Sequence, residues 1–334
     1  MKFLALPLLI YLIQGCITRS PEGIYSGSFQ SAYKDIDAKL SLGKVSFESI
    51  KNHGPFEILE SKNLILSLDN NESIIYDYAR PKNDENSPII IFHHGNKYIK
   101  EAHWDQARHA ASWGFHAITV QSKNEYNWVK NGRRLHSLVK IISSTPSVIS
   151  PRIMTSNIIL AGHSFGGSAV TIASSLSKNV KGVILLDPAV VSNSVLRYQK
   201  NNRSNAVLLG ADTSIFLSRK RSSFYKNMKN LGIELSVRGS THNDAQNPTI
   251  TEHLFGNDPT TTSHCIETFT HLITASAFML SQPSHKDDFK AFLSRYEKSK
   301  ILSYLKIKEG ALANNSFERD EGEEENLIDL ISAH

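Results

Sequence analysis

Residues 156 to 168 read S-N-I-I-L-A-G-H-S-F-G-G-S. The apolar run Ile158, Ile159, Leu160, Ala161 meets Gly162-His163-Ser164-Phe165-Gly166-Gly167. Val170, Ile172, Ala173 and Leu176 follow at helical spacing. The pattern is strand, sharp turn, helix, with Ser164 at the apex. A G-x-S-x-G turn in this setting holds its serine in a strained backbone conformation and lifts the hydroxyl clear of the sheet. Side chains at 162 or 166 would collide with the neighbouring strand or helix, which accounts for the glycines.

The chain on either side repeats the same alternation. Ile89 to Phe92 is a continuous apolar run bounded by Pro88 and Gly95, as expected of a buried parallel strand. Phe115–Val120, Val183–Leu186, Ala206–Leu209 and Ile233–Val237 read as further strands. Helical patterns lie between them, at about Lys100–Ser112 and around Leu135, Leu138, Val139, Ile141 and Ile142. This predicts an α/β fold with a mostly parallel, doubly wound sheet. Residues 56–68 and 72–79 form two more strands, joined by the turn Asp69-Asn70-Asn71, and Gln121 to Asn131 is a looser connection. Beyond the last strand come a polar loop (Asn243 to Ser263) and a helix from His264 to about Leu280. A second amphipathic helix is expected from about Lys286 to Ile307, carrying Phe289, Phe292, Leu293, Tyr296, Leu302 and Leu305. Ser218-Arg219-Lys220-Arg221, with Lys226 and Lys229, reads as a solvated basic face, and Glu318 to Glu325 as a solvated acidic tail.

With 334 residues, 40% hydrophobic and 21% charged, the chain has an ordinary globular composition. A net charge of +5 without a long Lys/Arg block gives no ground for nucleic-acid binding. Lys2 precedes a nearly continuous apolar run, Phe3 to Ile13, that is too short to span a bilayer and has the form of a signal peptide. Ile13-Gln14-Gly15-Cys16 resembles the bacterial lipobox, which implies lipidation of Cys16. The expected organisation is a lipoprotein-type signal peptide over 1–15, a tether over 16–54 with a short helix near Ala32 to Leu42, the α/β domain over 55–282, and a C-terminal helix with acidic tail over 283–334. The expected location is the cell envelope, anchored to the membrane by lipid (the outer membrane in a Gram-negative cell). The alternative is secretion. Of the two cysteines, Cys265 lies in an apolar helical pattern and reads as an inert core thiol, so no disulfide framework is expected.

Parallel sheets bind ligands at the carboxyl ends of their strands. Ser164, His94-Gly95-Asn96, Asp187, Asp212 and His242 all stand just past predicted strand ends. A serine hydroxyl needs an imidazole to take its proton, and the imidazole needs an acid to fix its tautomer. His242 fits as the base. The acid has two candidates, Asp187 one strand after the serine turn and Asp212 one strand later. A tetrahedral intermediate needs two donors for its oxyanion. The backbone N–H of Phe165 is one, and the loop after Phe92 should supply the other, at Asn96. His93-His94 has no third ligand at metal-site spacing, so neither a metal nor a cofactor is expected.

G-H-S-F-G-G at 162–167, L-D-P at 186–188, R-G-S-T-H at 238–242, F-H-H-G at 92–95 and A-S-W-G-F-H at 111–116 resemble a group within the α/β-hydrolase superfamily. The group comprises the plasma-type platelet-activating factor acetylhydrolases and the related chlorophyllases and cutinase-like polyesterases. The resemblance covers about residues 90–245. It implies the α/β-hydrolase fold and an acid at Asp187; the polyesterase pattern would put the acid near Asp212. Asn96 and Lys97 depart from the usual small or apolar residues, which bears on the shape of the acyl pocket. The segment from Asp187 to the next strand is too short for a large cap domain, so an open site is expected. The implied function is a serine carboxylic-ester hydrolase acting through an acyl-enzyme on lipophilic or short-acyl, phospholipid-like esters. Its partners would be an ester substrate, lipid included, and the membrane through the anchor. The alternatives are a cutinase-like polyesterase and a non-catalytic ligand-binding surface lipoprotein of the same fold.

Overall fold

Nine strands pair into one mixed sheet in the order β1-β2-β4-β3-β5-β6-β7-β8-β9. They are β1 (Ile58–Ser67), β2 (Ser73–Pro81), β3 (Ser87–His93), β4 (His116–Val120), β5 (Ile153–His163), β6 (Val180–Leu186), β7 (Asn205–Thr213), β8 (Gly232–Thr241) and β9 (Leu302–Lys308). This is a computed structural model, and it describes residues 46–68, 71–82, 86–123, 127–213, 218–246 and 263–309. The expected signal peptide, Cys16, most of the tether, residues 247–262 of the polar loop and the acidic tail lie outside the described residues.

The six strands from β4 through β8 are mutually parallel, while β1, β2 and β9 join the two edges antiparallel. Every residue of β3 is buried, and β6 is nearly so, because helices cover both faces of the sheet. On one face Ile89, Ile91, Ile158, Leu160, Val183 and Leu185 pack with α2 (Trp128–Ser144) and α3 (Phe165–Leu176). The other face is covered by α1 (Trp104–Ser112) and by a long helix later in the chain, α6 (Ser263–Ser281). The two between are α4 (Asn193–Asn201) and α5 (Ser218–Lys226), and α7 (Lys286–Lys298) follows α6. Cys265 of α6 is buried, as its apolar surroundings in the sequence predict. No helix among the described residues is long and apolar enough to cross a membrane.

Two expectations need correction. The connection read as loose to Asn131 is helical from Trp128, because the Asn127 side chain accepts the Lys130 N–H and caps α2. The helix expected to reach Ile307 stops at Lys298. Lys300 adopts φ 59°, and residues 302–308 form the edge strand β9. Leu302 and Leu305 have helical spacing, but they pair with Val237 and Leu235 of β8. The open edge of β8 offers a ladder of hydrogen bonds that the sequence pattern does not reveal.

Candidate active site

The turn at 162–167 is built as its glycines predict. Ser164 has φ 52° and ψ −121°, a strained conformation for a residue with a side chain. It ends β5 and immediately precedes α3. Its N–H donates to Leu186 O at 3.0 Å, and its carbonyl accepts from Gly167 N (3.0 Å) and Ala189 N (2.9 Å). A Cβ on Gly162 would lie 2.4 Å from the Gly166 carbonyl oxygen, and one on Gly166 would lie 2.4 Å from His93 O. The strand, the helix and the end of β3 thus meet at backbone distance, which only glycine permits.

Phe165 is the first residue of α3, so its N–H has no acceptor within the helix. The helix N-terminus also favours negative charge there. The β3 loop arrives alongside: a Cβ on Gly95 would lie 3.1 Å from Ser164 Cβ. Asn96 follows in that loop, and Lys97 turns it with φ 63°. The two histidines before it are structural. His94 Nδ1–H donates to Gly95 O at 2.7 Å, while its Nε2 accepts the Ser122 N–H at 2.9 Å, which fixes a neutral tautomer. His93 donates to His94 O at 3.0 Å. Burial holds His93 down at about 3 and His94 at about 4, so neither carries charge near neutrality. They tie the loop to the ends of β3 and β4.

The two candidate acids separate clearly. Asp187, at the end of β6, is fully buried, and its Oδ2 lies 2.6 Å from His242 Nδ1. Burial alone would raise its pKa, but the His242 hydrogen bond and the charges of His242 and Arg221 outweigh that and bring it to about 2. Its φ of 36° shows the backbone bent to deliver it. Asp212 is directed elsewhere: it accepts from Gly239 N at 3.0 Å and Ser303 Oγ at 2.5 Å. It braces β7 against β8 and β9. The geometry therefore pairs His242 with Asp187 rather than with Asp212.

His242 stands just past β8, with its side chain 27% exposed, so solvent reaches it. Its turn is held by a capping box. Thr241 N–H and Oγ1–H both donate to Asp244 Oδ2, at 2.7 and 3.1 Å. Three further anchors were not anticipated. Tyr98 O–H donates to Asn243 Oδ1 at 2.6 Å, and Gln106 Nε2 donates to Ala245 O at 3.2 Å. His163 Nε2–H donates to the carbonyl of His242 at 3.0 Å, with the two rings 4.5 Å apart. A carbonyl only accepts, so His163 is the Nε2–H tautomer, and burial keeps it neutral. Its side chain packs into the seat of His242. Thr241-x-x-Asp244 is a capping pattern readable in the sequence; the other contacts have no local signature.

The structure therefore brings Ser164, Asp187, His242, Gly95-Asn96 and Phe165 to one end of the sheet; Asp212 stands at the same end but is turned to Gly239 and Ser303 and takes no part in the His242 pairing. Among the described residues no group of three or more His, Cys, Asp or Glu could hold a metal ion. An open groove of about 280 Å³ lies between Val139, Lys140, Leu176 and Lys178 at the C-terminal end of α3, the end remote from Ser164. An imidazole held by a buried carboxylate beside a serine at a helix N-terminus has the components for nucleophilic chemistry at a carbonyl. No protein-family model matches the chain, and no curated protein matches it.

Proposed function

We propose that this chain is a serine carboxylic-ester hydrolase of the α/β-hydrolase type. The observation that carries the reading is the 2.6 Å pairing of His242 with the buried Asp187, next to a positive-φ serine between strand and helix. Asp187 is a pure acceptor, so it holds the proton of His242 on Nδ1 and leaves Nε2 free to accept. Nε2 takes the proton of Ser164 as Oγ attacks the ester carbonyl. The oxyanion is received by the N–H groups of Phe165 and Asn96. His242 then returns the proton to the leaving alkoxide, giving alcohol and acyl-enzyme. Water attacks the acyl-enzyme with His242 again as base, and Ser164 is regenerated.

The connection from Asp187 to β7 is used by α4, which packs on the core through Val195 and Tyr198. This helix contributes no cap, and the open site expected from the sequence would suit lipophilic or short-acyl, phospholipid-like esters met at a surface. Lipid attachment at Cys16 would hold the enzyme at such a surface. The test is hydrolysis of p-nitrophenyl esters of graded chain length by the wild type and Ser164→Ala. Turnover in the wild type, lost in the variant, is the expected result. Equal turnover by both proteins would refute the reading.

A further inference from the structure

Arg221 belongs to the stretch that reads as a solvated basic face, yet its side chain is only 9% exposed. Nη1 donates to Asp187 Oδ1 at 2.8 Å and to Ala211 O at 2.7 Å, and Nη2 donates to Ser236 Oγ at 2.8 Å. Nε lies 3.9 Å from Glu234 Oε1, a carboxylate 2% exposed that also accepts from Ser222 Oγ at 2.9 Å. Room for the guanidinium exists because residue 210 is glycine: a Cβ there would lie 2.3 Å from Arg221 Cζ. Asp187 Oδ1 also accepts the Ala211 N–H at 3.0 Å. With two donors on Oδ1, the carboxylate has one orientation, and Oδ2 faces His242.

We propose that Arg221 is a positioning residue for this site, and that Arg221 and Glu234 form a buried counter-charge pair that orients Asp187 and sets the field it projects onto His242. The inference rests on the hydrolase reading above. A buried ion pair adds little net stability against an apolar alternative, so stability alone is a poor reason to bury two more charges here. The charges have a functional logic. At rest Asp187, Arg221 and Glu234 together carry one negative charge. The imidazolium formed during catalysis brings the buried set to neutrality. Removing Arg221 leaves the Asp187 charge facing His242 without its buried counter-charge, while removing the Glu234 charge leaves Arg221 opposed by Asp187 alone. The other groups facing this set are His163 on the His242 ring, Asp244 beneath its turn, and the phenols of Tyr225 and Tyr304 near Glu234. His163 is kept neutral by burial, both phenols are shifted upward from an already high range and stay protonated, and Asp244 is engaged by Thr241.

The experiment compares Arg221→Met, Arg221→Lys, Glu234→Gln and the Met/Gln double variant in the full chain. Readouts are kcat and KM on a p-nitrophenyl ester, the acid limb of the pH profile, and the low-field proton resonance of His242 Nδ1–H followed against pH without substrate. Arg221→Met should lower kcat about 10- to 100-fold with KM nearly constant, since it disturbs the orientation and field of the acid and removes no substrate contact. Its acid limb and resonance midpoint should move up by about one pH unit. Glu234→Gln should move both down, and the double variant should return them toward wild type. Arg221→Lys keeps the charge and loses the fork, so kcat should fall while the limb stays in place. A purely structural role would lower activity with the folded fraction and move no limb. Shifts in the same direction for Arg221→Met and Glu234→Gln, or no shift in either, would overturn the proposal. If the wild type hydrolyses no ester, the hydrolase reading fails, and the resonance midpoints still decide the charge arrangement.

Discussion

Replacing Asp187 by Asn tests the site most directly, because the structure dictates how the new amide must sit. Oδ1 of Asp187 receives two donors, Ala211 N–H at 3.0 Å and Arg221 Nη1 at 2.8 Å. The Asn carbonyl must take that place. The reverse orientation would aim the amide NH2 at both donors and leave buried donors unsatisfied, at about 1–3 kcal/mol each. The NH2 therefore faces His242 Nδ1, which becomes an acceptor, and the imidazole proton moves to Nε2. Nε2 can then no longer accept from Ser164. An orientation penalty of about 3 kcal/mol or more leaves under roughly 1% of molecules in the working tautomer. Loss of the charge that stabilises the imidazolium adds to this. The expected fall in kcat is about 10⁴-fold, the size such a tautomer error produces, or about 5 kcal/mol of barrier. Asp212→Asn, measured beside it on p-nitrophenyl acetate, should lose less than about threefold, since this exposed carboxylate is bonded to Gly239 and Ser303 and makes no contact with His242. Thermal unfolding of each variant separates loss of fold from loss of function. An Asp187→Asn variant that stays folded and keeps more than a tenth of the wild-type rate would refute the reasoning, as would an equal loss in Asp212→Asn.

Three further outcomes are expected. Burial lowers His93 to about 3 and His94, His103 and His271 to about 4, against an ordinary 6.5, so the unfolded chain binds more protons below that point. Stability is complete above about pH 6.5 and declines toward pH 4, by up to about 1.4 kcal/mol per pH unit for each group; Asp187 adds a loss only between about 4 and 2. Urea midpoints that stay flat from pH 7 to 4.5 would contradict this. Gly166→Ala should destabilise the fold by about 3 kcal/mol or more, because its Cβ would meet two backbone carbonyls, at 2.4 and 2.5 Å, that cannot move without distorting β3; a variant with a wild-type melting temperature would contradict the packing argument. Palmitate labelling of the expressed protein should be lost in Cys16→Ser, and labelling that persists would rule out lipidation at that residue.

Much of the site was legible in the sequence because its chemistry sits at strand ends, and strand ends are marked by apolar runs giving way to Gly, Asp or His. Ser164, Phe165 and the loop at Gly95-Asn96 are placed together in this way, and so is His242, whose approach to Asp187 requires that β6 and β8 run parallel. Asp187 and Asp212 remained rivals on spacing, since both follow a strand and neither declares its direction. Resemblance favoured Asp187, and the hydrogen bond to His242 agrees with it. The helix expected through Ile307 failed for another reason: Leu302 and Leu305 satisfy helical spacing and an edge strand equally well, and only the open side of β8 decides between them.

By itself the sequence determined the alternation of strand and helix, the glycine turn that strains Ser164, and the set of residues available for chemistry. These follow from local periodicity and from backbone sterics, which act over a few residues. Tertiary structure decided which aspartate meets His242, that His163 supports the histidine turn, and that Arg221 lies inside the protein against Asp187 and Glu234. A basic helix segment carries no local sign that one of its arginines will turn inward. Only the buried carboxylates brought to it by β6 and β8, and the space left at Gly210 of β7, make that burial favourable.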